Sequence, residues 1–251
     1  MPEPDFLVRP GQERIAYHRS RGISPGVVFC GGFMSDMTGT KATVLEAFCR
    51  DNGRAYVRFD YQGHGQSGGR FEDGTISRWR DDALAVIDRL TEGPQLLIGS
   101  SMGGWISLLC ALARPDRIIG LVLLAPAPDF TAEMLHQEFS PAQRRELLEH
   151  GRLERPTEYG DAPYVITRTL IEDGNRNLLL QGPPIELNCP VRIIQGMRDS
   201  DVHWRRALRL VDALAGPDTT LTLVKTGDHR LSEPEDIERL CVTVAQLWDR
   251  A

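Results

Sequence analysis

The sequence predicts an α/β fold: a mostly parallel central sheet, helices on both faces, and a small helical cap. Three observations predict it. Short apolar runs, glycine turns and helical patterns alternate along the chain, which is how a parallel sheet covered on both faces is built. Ile118 to Leu124 is a near-continuous apolar run, as a strand buried on both faces requires. From Phe130 to Leu187 the strand signals stop and amphipathic helical stretches replace them.

The elements follow in order. Arg14 to His18 reads as a first strand, and Gly26 to Cys30 as a buried one that ends in Gly31-Gly32-Phe33-Met34. Residues 41 to 50 carry apolar groups at helical spacing. Arg54 to Tyr61 is the next strand, running into the glycine-rich loop Gly63-His64-Gly65-Gln66-Ser67-Gly68-Gly69. A helix is expected from Trp79 to Leu90, then a strand at residue 95 leading into Gly99-Ser100-Ser101-Met102-Gly103 and a further helix. Ile118 to Leu124 ends at Ala125-Pro126-Ala127-Pro128-Asp129, after which Pro141 to His150 and Tyr164 to Glu172 read as cap helices. The sheet resumes with Val191 to Gln195 and Thr220 to Lys225, and a helix from Glu233 to Trp248 closes the chain, with Ser232 and Glu235 as its expected capping box. At 251 residues and 41% hydrophobic content, one domain spanning residues 1–251 with a cap insertion at about 130–187 accounts for the whole sequence.

Charge and composition exclude several function classes. The net charge of -6 is spread along the chain with no basic stripe, so nucleic acid is not an expected partner. No apolar run approaches the ~20 residues that span a bilayer. The opening Met-Pro-Glu-Pro-Asp has neither the basic nor the apolar region of a signal peptide, so no membrane insertion and a cytoplasmic location are expected. The five cysteines, Cys30, Cys49, Cys110, Cys189 and Cys241, are widely spaced and read as reduced thiols. No Cys-x-x-Cys pair, His-x-x-x-His pair or phosphate-binding glycine loop is present, so neither metal nor cofactor is expected.

The chemistry is carried by the strand-turn-helix at residues 95 to 105. Its Gly-x-Ser-x-Gly spacing is that of a nucleophile elbow, a turn so tight that the positions two before and two after the nucleophile must be glycine. Ser101, flanked by Gly99 and Gly103, meets the rule; Ser100, flanked by Ile98 and Met102, does not. A serine hydroxyl needs a histidine to take its proton and a carboxylate to orient that imidazole, in the chain order Ser, acid, His. His229 follows the last strand and is the expected base. Asp199, just after the Val191 to Gln195 strand, is the expected acid, with Asp129 at the end of the preceding strand as its rival. The remaining histidines are expected to be solvated at the surface. Two backbone N–H groups must face the developing oxyanion. Met102, the residue after the nucleophile, offers one; Phe33, in the loop after the Gly26 to Cys30 strand, offers the other, with Met34 as its neighbour.

With elbow, acid and histidine in this order, the chain resembles the α/β-hydrolases. Within them it is similar to the mitochondrial abhydrolase-domain family of mycophenolic acid acyl-glucuronide esterases and palmitoyl-protein thioesterases. The matching stretches are residues 32 to 42, 58 to 61, 93 to 105, 188 to 192, Gly-Met-Arg-Asp at 196 to 199 and Asp-His-Arg at 228 to 230. The resemblance implies the α/β-hydrolase fold, the triad Ser101, Asp199 and His229, and an oxyanion hole of Phe33 and Met102. It thins through the cap, and His203 stands where a proline is common in such enzymes.

The expected activity is that of a serine esterase or thioesterase working through an acyl-enzyme, on a small-molecule ester or thioester or an acylated protein. Met34, Met37, Trp105 and Trp204 are candidates to line an acyl pocket. Arg198, Arg205, Arg206 and the cap arginines are candidates to meet the carboxylate of an acyl glucuronide. Carbon-carbon bond hydrolysis or perhydrolysis on the same scaffold, and a non-catalytic binding member of the fold, are the competing readings.

Overall fold

The computed structural model describes residues 3–156 and 163–249. Along the chain run β1 (Asp5–Leu7), β2 (Ile15–Ser20), β3 (Ile23–Cys30), α1 (Thr40–Asp51), β4 (Arg54–Phe59), α2 (Ile76–Leu90), β5 (Gln95–Ser100), α3 (Met102–Ala113) and β6 (Ile118–Leu124). The chain then leaves the sheet for α4 (Phe130–Glu133), α5 (Pro141–His150), β7 (Arg152–Arg155), β8 (Tyr164–Thr167) and α6 (Arg168–Gly174). It returns through β9 (Val191–Gly196), α7 (Arg205–Ala213), β10 (Thr219–Val224) and α8 (Pro234–Trp248).

Eight strands form one sheet in the order β1-β2-β4-β3-β5-β6-β9-β10. The first two pairings, β1 with β2 and β2 with β4, are antiparallel, and every later pairing is parallel. Helices cover both faces, and the alternation of side chains along a strand explains why the strands read as continuous apolar runs. Val28 and Cys30 of β3, Leu97 of β5 and Leu121 and Leu123 of β6 pack with Trp79, Val86 and Ile87 of α2. Their neighbours Val27, Phe29, Leu96, Ile98, Val122 and Leu124 pack on the other face with Leu45 of α1 and Leu240 and Val244 of α8. Because β3, β5, β6, β9 and β10 run in one direction, the loops after them emerge at a single edge. That edge carries Phe33, Ser101, Asp129, Asp199 and His229.

Several expectations need correction. The segment from Tyr164 is not one helix: Tyr164–Thr167 is a strand, paired antiparallel with Arg152–Arg155, and α6 starts only at Arg168. Alternation is too short in a four-residue strand to compete with helical spacing. The Ser232–Glu235 capping box does not form; Glu233 is the N-cap, with Pro234 in the first turn. A capping box forms instead at Ser140 and Gln143. The strand β1 and the helix α7 were not anticipated. Helix α2 begins three residues earlier than expected, because the Thr75 side chain accepts the Arg78 N–H and caps it.

Candidate active site

The site is built on the turn between β5 and α3. Ser101 adopts φ 54° and ψ −117°, outside the regions an L-residue prefers. Its backbone is pinned there: Ser101 N–H donates to Leu124 O at 2.9 Å, and Ser101 O accepts from Gly104 N at 2.9 Å and Ala127 N at 3.1 Å. A Cβ on Gly99 would lie 2.4 Å from Gly103 O, and one on Gly103 would lie 2.0 Å from Cys30 O. The flanking glycines therefore let the start of α3 lie against β3 and its following loop.

The Ser101 hydroxyl lies 3.1 Å from His229 Nε2, and His229 Nδ1 lies 2.8 Å from Asp199 Oδ2. A carboxylate only accepts, so the neutral ring carries its proton on Nδ1 and offers the Nε2 lone pair to the serine hydroxyl. Asp199 is held on both oxygens, with no side-chain exposure. Oδ1 accepts from Asp201 N at 2.9 Å and Val202 N at 2.7 Å, while Oδ2 also accepts from Gln195 Nε2 at 2.9 Å. Sequence reasoning missed Gln195. It sits in β9, fully buried, and an amide that polar at the end of a buried apolar strand was the available signal. The loop bearing His229 is tied to the acid loop through Arg198 N–H to Gly227 O at 2.9 Å. It is tied to α1 through Lys41 Nζ, which donates to Arg230 O and Ser232 Oγ. Asp199, Asp201 and His229 also bring three ligand-type atoms within 4.8 Å of one another. The Asp199 and His229 atoms of this group already serve the hydrogen bonds just described.

Asp129, the rival acid, is engaged elsewhere: its two oxygens accept from Leu179 N and Leu180 N, each at 2.8 Å. Burial pushes its carboxyl above the usual range, and those two N–H groups pull the other way. It fixes the segment after α6.

Met102 opens α3, where the first N–H groups of a helix have no intrahelical acceptor. The loop carrying Phe33 lies beside the nucleophile, since a Cβ on Gly32 would be 3.5 Å from Ser101 Cβ. Met34 N–H donates to His64 Nε2 at 3.2 Å. His64 itself is a correction. It is 3% exposed, not solvated, and burial pulls its pKa down to about 4. His18 is buried as well, whereas His136, His150 and His203 are exposed.

Of the proposed pocket residues, Met34 is exposed and Trp204 half-buried. Trp105 is corrected: it is fully buried, packs edge-to-face on Phe130 and donates its indole N–H to Asn177 O at 3.0 Å. Met37 is likewise buried, with its N–H on Asp60 Oδ1 at 2.7 Å. Among the arginines, Arg206 is buried in an ion pair with Glu133 of α4, while Arg198 and Arg205 are exposed. All five cysteines are free thiols.

A parallel sheet with a strained serine between strand and helix, and a histidine and carboxylate brought to it from later loops, defines an α/β-hydrolase. A family model described as serine aminopeptidase, S33 matches residues 24–154. The human protein named palmitoyl-protein thioesterase ABHD10, mitochondrial, is 38% identical over 247 residues, covering 98% of this chain and 80% of the relative. Among solved structures, mouse alpha/beta hydrolase domain-containing protein 10 superposes with a TM-score of 0.92 at 38% identity, covering 99% of both chains. A putative hydrolase from Agrobacterium vitis S4 gives 0.92 at 42% identity and 97% of both. The chain belongs to the ABHD10 family of α/β-hydrolases. These relatives also correct the expected cytoplasmic location, because the cattle, rat, mouse and human proteins are all named as mitochondrial. No described helix is long and apolar enough to cross a membrane.

Proposed function

We propose that this hydrolase cleaves carboxylic esters or thioesters through an acyl-enzyme on Ser101. His229 Nε2 takes the hydroxyl proton as Oγ attacks the acyl carbon, then passes it to the leaving alcohol or thiol as the carbon-oxygen or carbon-sulfur bond breaks. Water, deprotonated by the same nitrogen, releases the acid. Asp199 keeps the Nδ1–H tautomer in place and stabilises the imidazolium. The N–H groups of Phe33 and Met102 receive the oxyanion, aided by the positive end of α3. The observation that carries this reading is the unbroken relay from Ser101 Oγ at 3.1 Å to His229 and at 2.8 Å to Asp199.

The relatives' name supports a long-chain acyl thioester on a protein as the first substrate to test. Residues 130–187 are read as a cap over the site within a single domain, with Met34 and Trp204 as the apolar groups available to an acyl chain. The test is a fluorophosphonate label with a panel of short- and long-chain p-nitrophenyl esters, a palmitoyl thioester and an acyl glucuronide, compared by kcat/KM. Labelling lost on Ser101→Ala with turnover of at least one ester class supports the reading. An unlabelled wild-type chain, or turnover of a dione with none of the esters, sinks it.

A further inference from the structure

The loop between β3 and α1 holds a backbone conformation that its own sequence does not favour. Met34 has φ 53°, a left-handed value for a residue with a side chain. Such a conformation costs about 1–2 kcal/mol and persists only where the surroundings impose it. The surroundings here come from the glycine-rich loop after β4. Met34 N–H donates to His64 Nε2 at 3.2 Å, and His64 Nδ1 lies 3.2 Å from Gln62 O. The two contacts fix one tautomer, because a carbonyl demands a proton on Nδ1 and a backbone N–H demands a lone pair on Nε2.

The ring that supplies this lone pair is locked by packing. It lies edge-on to Tyr61, Phe71 and Trp79, at 5.6, 5.1 and 5.2 Å between centroids. The Phe33 ring packs on two of the same partners, Phe71 at 4.9 Å and Trp79 at 5.9 Å. A second tie lies three residues further on, where Asp60 Oδ1 accepts Met37 N–H at 2.7 Å and Oδ2 accepts Gln66 N–H at 2.8 Å. The loop that includes Phe33 is thus held at Met34 and again at Met37 by residues 60–66.

We infer that His64 is a positioning residue for the oxyanion hole: by accepting the Met34 N–H it sets the peptide next to Phe33, whose own N–H then faces the reacting oxygen. The inference rests on the serine-hydrolase reading above. It also explains why Phe33 and not Met34 serves as donor, since the Met34 N–H is already spent on His64. Burial keeps the imidazole unprotonated down to about pH 4, so the acceptor is present wherever the chemistry runs.

The test pairs His64→Phe, which keeps a ring in the aromatic cage but removes the acceptor, with His64→Gln, whose amide oxygen restores one near Nε2. The readouts are kcat and KM on a p-nitrophenyl ester, the Ki of a trifluoromethyl ketone that forms an oxyanion adduct on the serine, and Tm. His64→Phe is expected to lower kcat about tenfold to a hundredfold with KM nearly unchanged, and to weaken the ketone by the same factor. His64→Gln is expected to recover most of both. Wild-type kcat in folded His64→Phe, or no recovery in folded His64→Gln, overturns the inference. Should His64→Phe fail to fold, 15N NMR of the wild-type imidazole decides: an Nδ1–H tautomer supports the brace and Nε2–H overturns it. That measurement needs no turnover, so it separates this inference from a failure of the hydrolase reading, which the unlabelled serine would reveal.

Discussion

The three side chains at the sheet edge carry the sharpest predictions, since two contacts, Ser101 to His229 and His229 to Asp199, are what their proposed roles require. Ser101→Ala or His229→Ala should lower kcat/KM by about 10⁴-fold or more while Tm stays within a few degrees, checked by ester turnover and thermal melts. Asp199→Asn should cost about 10⁴-fold, because an amide in place of the carboxylate favours the wrong histidine tautomer. Asp129→Asn should do the opposite: near wild-type turnover but a lower Tm, as the N–H groups of Leu179 and Leu180 lose a charged acceptor. Low turnover in folded Asp129→Asn would return the acid role to that residue. The spacing rules separated Ser101 from Ser100 and favoured Asp199 over Asp129 by position alone. They had no means to find His64, whose contact joins residues 30 positions apart with no pattern between them, and only a polar amide near the end of a buried apolar strand marked Gln195.

At the scale of elements, strand and helix positions were legible where burial on two faces forces an apolar run, as in β5 and β6. They failed where a short element borrows its stability from neighbours, as in the hairpin of β7 and β8 or in α7, whose buried face includes Arg206. The elbow is the element whose sequence and geometry agree most closely. Gly103→Ala would place a methyl group 2.0 Å from Cys30 O and 2.5 Å from Gly31 O. Overpacking of this kind costs about 1–3 kcal/mol, which should lower Tm by about 3–10 °C and kcat with it, because the displaced backbone leads into the Phe33 loop. The loop after β10 has its own anchor in Lys41, whose ammonium burial pulls down to about 8 while the nearby Asp228 raises it. As pH rises through that value the charge is lost and the bond to Arg230 O weakens. The wild-type kcat/KM should therefore fall above about pH 8, Lys41→Met should lose about tenfold at pH 7, and Lys41→Arg should keep the rate flat through the alkaline range. An identical alkaline limb in Lys41→Arg would remove Lys41 from the account.

The whole molecule has a pH signature that sequence could not announce, because it depends on which histidines the fold takes out of water. His64 and His18 are both buried with lowered pKa, the first by desolvation and the second by desolvation and the Arg58 guanidinium. In the unfolded chain a histidine binds its proton near 6.5, whereas folded His64 resists until about 4. Between those values the unfolded state binds more protons, so stability is full above about pH 7 and declines as pH falls towards 4. His64 alone contributes a loss of up to about 3 kcal/mol over that window. The buried carboxyls of Asp60, Asp82 and Asp129, all raised by desolvation, bind protons more readily in the folded state and oppose the trend. A wild-type profile therefore mixes both signs, and the histidine share emerges from the difference between wild type and His64→Gln. Urea midpoints at pH 7.5 and pH 5 should show a smaller acid-induced loss in His64→Gln than in wild type. Equal losses would mean that His64 protonates in the folded state as easily as in the unfolded one, which its 3% exposure and its Nε2 contact with Met34 do not allow.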